Sequence, residues 1–121
     1  MCKKILILDD DADVLDMLSY FLSESGYEVH TLLRGEKVFE AIASFHPDLL
    51  LMDVMLTNMD GRLMRARLKS KPETKALPVI LISVTGDVFE WYSPNGAPYD
   101  FLVKPFNLED LLKKVELQLA A

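Results

Sequence analysis

Cysteine is almost missing from this chain. Its 121 residues hold one, Cys2, so no disulfide can close within it, and a reducing compartment fits. No apolar run nears the roughly 20 residues of a membrane-spanning helix. The start, Met1-Cys2-Lys3-Lys4, lacks a secretory core, because the apolar stretch Ile5 to Leu8 is too short. We therefore expect a cytoplasmic protein with no membrane insertion. Cations are scarce: 13 Lys and Arg face 19 Asp and Glu, a net charge of -6, which argues against direct nucleic acid binding. There is no Gly-rich phosphate loop, no zinc-ligand spacing and no serine-hydrolase motif. Repeats, low-complexity segments and linkers are absent too. What remains is 50% hydrophobic, enough for one core and one domain, expected over 1–121.

The apolar residues come in short runs. Lys4-Ile5-Leu6-Ile7-Leu8 ends on Asp9-Asp10-Asp11. Leu49-Leu50-Leu51-Met52 ends on Asp53. Pro78-Val79-Ile80-Leu81-Ile82 ends on Ser83, and Tyr99-Asp100-Phe101-Leu102-Val103 ends on Lys104-Pro105. Continuous apolar runs bounded by polar residues suggest strands buried on both faces, as in a parallel sheet. Tyr27 to Leu32 alternates, as an edge strand would. Between the runs lie helical patterns. The first follows a cap at Asp11 or Asp13 and turns Val14, Leu18, Phe21 and Leu22 inward, with Gly26 as its stop. A second follows Gly35, with Val38, Ile42 and Phe45 inward, and is closed by Pro47. A third, basic helix starts at Gly61 or Arg62 under an Asp60 cap and stops by Pro72. The last, capped by Asn107, aligns Leu108, Leu111, Leu112, Val115 and Leu119. Strands alternating with helices imply an α/β fold with a parallel sheet and right-handed crossovers.

Four strands then deliver polar groups to one edge: Asp9 and Asp10, Asp53, Ser83, Lys104. That C-terminal edge is where open α/β sheets bind ligands. Each residue has a plainer use. Asp53 could simply end a strand, the aspartate triplet could simply cap a helix, and Lys104 could be an ordinary solvated lysine. Four strand ends of this kind together favour a site. Clustered carboxylates repel, and a hard divalent cation removes the conflict. Mg²⁺ prefers oxygen ligands and often binds through one or two carboxylates plus a phosphate. A carboxylate can also act as a nucleophile and carry a phosphoryl group, with a lysine and a hydroxyl to hold it. His30 and His46 fall far from this edge and are expected on the surface.

In these motifs the sequence closely resembles the receiver domain of two-component response regulators, the flavodoxin-like, chemotaxis type. Ile5 to Asp10, Asp53 to Gly61 with Met59-Asp60-Gly61, Pro78 to Ser83 and Lys104-Pro105-Phe106 carry the likeness, which covers nearly the whole chain. The resemblance implies a doubly wound five-stranded sheet of order 2-1-3-4-5 with helices on both faces. It implies that Asp53 accepts a phosphoryl group from a sensor histidine kinase or histidine phosphotransfer protein. Asp9 and Asp10 would be the acidic metal pair, with Asp53 and the Met55 carbonyl as further Mg²⁺ ligands. Ser83 would be the switch hydroxyl, Phe101 the switch aromatic and Lys104 the phosphate-holding lysine. The module would signal to an output protein or domain rather than turn over a substrate. It would also dimerise through the face of its fourth helix, fifth strand and fifth helix. The chain would suit a stand-alone receiver or one excised from a longer regulator or hybrid kinase. A rival is a haloacid dehalogenase-type phosphohydrolase using Asp9, since Asp9 and Asp11 mimic that group's spacing, although Asp13 breaks it.

Three departures from the family pattern stand out. Thr57 replaces a usual Pro, and Val84 replaces a usual small residue. The stretch 84–98 is about one residue short. Gly86, Pro94 and Pro98 leave room only for a fourth helix from Val88 to Tyr92 or so, about a turn and a half. Phe89, Trp91 and Tyr92 cannot all face inward from so short a helix. Trp91, the only tryptophan, should therefore be accessible to a fluorescence quencher in the free protein and protected on partner binding. A blue-shifted, quencher-protected Trp91 in a proven monomer contradicts this.

Overall fold

A computed structural model describes residues 2–56, 59–83, 101–103 and 107–120, with only the backbone of Ser83, Phe101 and Val103. In chain order these form β1 (Lys4–Leu8), α1 (Ala12–Glu24), β2 (Glu28–Leu32), a 3₁₀ turn (Gly35–Lys37), α2 (Val38–Phe45), β3 (Leu49–Asp53), β4 (Met55–Leu56), β5 (Met59–Asp60), α3 (Gly61–Ser70), β6 (Val79–Ser83), β7 (Phe101–Val103) and α4 (Leu108–Ala120). The main sheet is parallel, ordered β2-β1-β3-β6-β7. This is the expected 2-1-3-4-5 order once the small β4–β5 hairpin is set aside.

Alternation along the strands builds the two core layers. Leu6 and Leu8, Leu50 and Met52, and Val79 and Leu81 pack with Val38 and Ala41 of α2 and Met64 and Leu68 of α3. Their neighbours Ile5 and Ile7, Leu49 and Leu51, and Ile80 and Ile82 pack with Leu15, Leu18 and Leu22 of α1 and Leu111 and Val115 of α4. Helices thus cover both faces, and the strand runs are apolar throughout because neither face meets water. The edge strand β2 is more open: Val29 and Leu32 are half-buried and Glu28, His30 and Thr31 exposed, so the expected alternation breaks at Thr31.

Helix ends follow local chemistry. Asp11 caps α1, its carboxylate accepting from the N–H groups of Asp13 and Val14. Asn107 Oδ1 accepts from Asp110 N–H at 2.7 Å at the start of α4. Gly26, just past α1, has φ 101°, a left-handed conformation that glycine adopts without a Cβ penalty. His46 ends α2 in the same region, at φ 54°.

Several expectations shift. Leu15, not Val14, is the buried residue of the first turn of α1; Val14 and Phe21 pack half-buried at its flank. A broad stripe tolerates that rotation. Gly35 opens a 3₁₀ turn, and α2 proper begins at Val38, with Ala41 buried and Ile42 and Phe45 only partly so. Tyr27 precedes its strand rather than starting it. Between β3 and α3 the sequence pattern predicts no strand, yet Met55–Leu56 pairs antiparallel with Met59–Asp60. The expected fourth helix, with Phe89, Trp91 and Tyr92, lies outside the described residues.

The core's tolerance is testable. Leu50, on β3, has no solvent exposure and leaves a void if truncated. Leu50→Ala should cost about 2–5 kcal/mol in urea unfolding. A loss below about 1 kcal/mol would mean that the site collapses freely, against this packing.

Candidate functional site

The register of the sheet sets the site. Leu8 lies opposite Met52, Asp53 opposite Ile82, and Ser83 opposite Val103. The C-terminal ends of β1, β3, β6 and β7 therefore meet on one edge, as the sequence pattern requires. Asp9 follows β1 with 1% of its surface exposed, Asp53 ends β3 with 8% exposed, and Asp10 is exposed. One carboxylate oxygen from each of Asp9, Asp10 and Asp53 lies within 4.8 Å of the others. Ser83 has its backbone at this edge. Lys104 lies outside the described residues, as do Thr57 and Val84; so do the side chains of Ser83 and Phe101.

Backbone amides orient two of the carboxylates. Asp11 N–H donates to Asp9 Oδ1 at 2.9 Å, and Met55 N–H donates to Asp53 Oδ1 at 3.1 Å. Each is an Asp bonding the amide two residues on, the local geometry aspartate favours in turns. One oxygen of each carboxylate is thereby fixed. Met55 itself is 66% exposed beside Asp53.

The loop after Asp53 is tied down from the other side. Val54 N–H donates to the Ile82 carbonyl at 2.9 Å, and Gly61 N–H donates to the Val54 carbonyl at 2.7 Å. Gly61 sits so close that a Cβ would overlap the Asp53 carbonyl oxygen and lie 2.9 Å from Val54 Cα. Asp60 caps α3 through Arg62 N–H at 2.8 Å and pairs with the Arg62 guanidinium at 2.9 Å. That guanidinium hydrogen bond holds Asp60 below the ordinary carboxylate range, outweighing the partial burial that raises it. The cap thus adds stability above the unfolded-state pKa and loses it only as pH falls through the lower folded value.

The donor set suits a hard cation. Three carboxylates offer only oxygen, the preference of Mg²⁺ and Ca²⁺ rather than of softer metals. Around an octahedral Mg²⁺, ligand oxygens lie about 3–4 Å apart. A cluster within 4.8 Å meets that with a small closure or with one ligand held through water. The Asp9–Asp10–Asp53 grouping was legible from the strand ends. The close seat of Gly61 was not: Asp60-Gly61 reads equally as a helix start, and only the fold brings its Cα against β3.

The family model of the response regulator receiver domain matches residues 5–116. The chain is similar to the phosphate regulon transcriptional regulatory protein PhoB of Rhizobium meliloti, 35% identical over 121 residues, covering 98% of this chain and 53% of that protein. It is also similar to the DNA-binding dual master transcriptional regulator RpaA of a Synechocystis strain, 33% identical, covering 93% and 47%. The chain thus spans about half the length of these curated relatives. Among solved structures it is similar to a response regulator described as putative from Chloroflexus aurantiacus, with TM-score 0.85 and 33% identity over all of both chains. The signal receiver domain of a histidine kinase from Syntrophus aciditrophicus aligns with TM-score 0.86 at 28% identity, over 98% and 91%.

The Gly61 contact yields a prediction. Gly61→Ala must push the Asp53–Val54 backbone aside, so it should lower stability in urea unfolding and weaken Mg²⁺ binding followed by calorimetry. An Ala variant matching wild type in both would show that the loop has slack the packing denies.

Proposed function

Because this chain belongs to the response regulator receiver domain family of two-component signalling, we propose that it is a phosphoacceptor switch with Asp53 as the acceptor. The observation that carries the reading is the convergence of Asp9, Asp10 and Asp53 at the sheet's C-terminal edge, with Asp53 ending the central strand. Asp9 and Asp10, with Asp53 and the Met55 carbonyl, would hold Mg²⁺. When bound, that ion neutralises the carboxylates and the oxygens of the transferring phosphoryl group. The Met55 amide holds the Asp53 carboxylate in place through Oδ1.

The donor is a phosphohistidine on a sensor histidine kinase or phosphotransfer protein. A carboxylate oxygen of Asp53 attacks phosphorus, an O–P bond forms, the N–P bond breaks, and its electron pair returns to the imidazole. Lys104, which follows β7 directly in sequence, would ion-pair with the phosphoryl oxygens. Ser83, at the end of β6, would hydrogen-bond to them, and Phe101 on β7 would report the change to the output partner. The protein acts as a signal carrier, not as an enzyme with an external product, and works in the cytoplasm. Among the described residues no helix is long and apolar enough to cross a membrane. Residues 1–121 would form the receiver as one domain. The dimer face of fourth helix, fifth strand and fifth helix (α4 here) falls mostly on residues outside the described ones. The relatives and neighbours named above are regulators and receivers, so the Asp9 hydrolase reading gains no support from them.

Acetyl phosphate with Mg²⁺ should add one phosphoryl group by mass spectrometry. Asp53→Asn should abolish the gain, and chelation should slow it at least tenfold, on the order of the charge stabilisation a metal supplies. A label on Asp9, with Asp53→Asn modified like wild type, refutes the assignment.

A further inference from the structure

Charge is segregated along this chain. No Lys or Arg occurs from Ile5 to Leu33, and residues 9–24 carry six carboxylates. Residues 62–75 reverse this, with six of the thirteen cations and one acid, Glu73. The two stretches centre on α1 and α3. Their inward residues belong to opposite core layers, so the helices lie on opposite faces of the sheet.

Each helix also exposes apolar surface amid its charges. On α1, Tyr20 is 70% exposed and Met17 46%, one turn or less from the exposed Asp13 and Asp16. On α3, Leu63 is 67% exposed, with exposed Ala66 and Arg67 beside it. Arg67 and Lys71 are held over the Phe39 ring, at 5.7 and 5.3 Å from its centroid. That placement lowers the ordering cost of using them in a contact. Scattered exposed apolar residues are ordinary. Here, however, each apolar centre is flanked within its own helix by one sign of charge, and the two signs are opposite.

We propose that the outer face of α1 docks on the outer face of α3 of a second copy of this chain. Tyr20 and Met17 would meet Leu63 and Ala66, and Asp13 and Asp16 would face Arg67 and Lys71. The two surfaces differ, so the contact is heterologous. Each added copy leaves one α1 and one α3 face open, and assembly continues into chains instead of closing as a dimer. Helices of 13 and 10 residues span about 20 and 15 Å, which puts the interface at the small, weak end of specific contacts. Opposed exposed charges make it salt-sensitive. The occupant is a second copy because the acidic face that complements α3 is carried by this same chain, on α1. The inference rests on fold and charge alone and stands apart from the role of Asp53.

Sedimentation equilibrium of the unphosphorylated chain tests it. From about 10 µM to about 1 mM at low salt, the weight-average mass should rise past that of two chains. Raising salt to about 0.5 M should weaken association at least severalfold. Arg67→Glu and Asp16→Lys should each weaken it about tenfold or more, and the double variant should recover most of the loss, as complementary charge predicts. Leu63→Ser, at an exposed position, should weaken it without changing the helical circular dichroism. A monomer throughout, a mass that stops at two chains, association on added DNA or anionic vesicles alone, or a double variant no better than the singles would each overturn the proposal.

Discussion

Burial of β3 on both faces governs the rest of the molecule. Leu49 to Met52 have no contact with solvent, and their side chains alternate between the two helical layers. A strand so placed must be central, so β1 and β6 flank it and the crossovers put helices above and below. The first residue that can hold a charge is the one at its end, Asp53. Its position at the sheet's edge follows from the apolar length of the strand. The same reasoning places Asp9 after β1, and parallel register brings the two carboxylates side by side.

Grouping carboxylates is costly, and the surroundings show how the chain meets that cost. Backbone amides satisfy one oxygen each of Asp9 and Asp53, and Asp10 stays in contact with water. One oxygen from each of the three lies within 4.8 Å of the others, a donor set that suits a hard cation. The negative charge is therefore divided between fixed backbone dipoles and solvent, and the three carboxylates keep a donor set that a hard cation would neutralise.

Much of this was legible in the residues. The apolar runs marked the strands because burial on both faces removes the usual alternation. Asp11, Asp60 and Asn107 marked helix starts because their side chains mimic the missing helical acceptor. Strand ends then located Asp9, Asp10 and Asp53. Features that depend on tertiary contact did not show. Leu15 and Val14 both fit the apolar stripe of α1, and only packing decides between them. The β4–β5 hairpin is two residues a side, too short to produce a period. Buried Thr74 reads as a loop residue, yet its hydroxyl donates to the Leu68 carbonyl at 2.6 Å and fastens the end of α3. Its signal is a single bond across six positions, which no local pattern carries.

The contact of Gly61 with β3 has a mechanical meaning. Helices usually join strands through loops that absorb small shifts. Here the first residue of α3 rests on the Asp53–Val54 peptide, and a backbone bond to Val54 clamps it there. Thr74 and Lys69 pin the other end, Lys69 Nζ reaching the Leu77 carbonyl at 2.7 Å. The helix is thus a stiff rod of about 15 Å, held at one end against the residue that closes β3 and at the other by Thr74 and Lys69. With both ends fastened, the slack that a strand-to-helix loop normally provides is missing at this junction, so the position of α3 and its row of cations is set by the backbone at Asp53 and Val54.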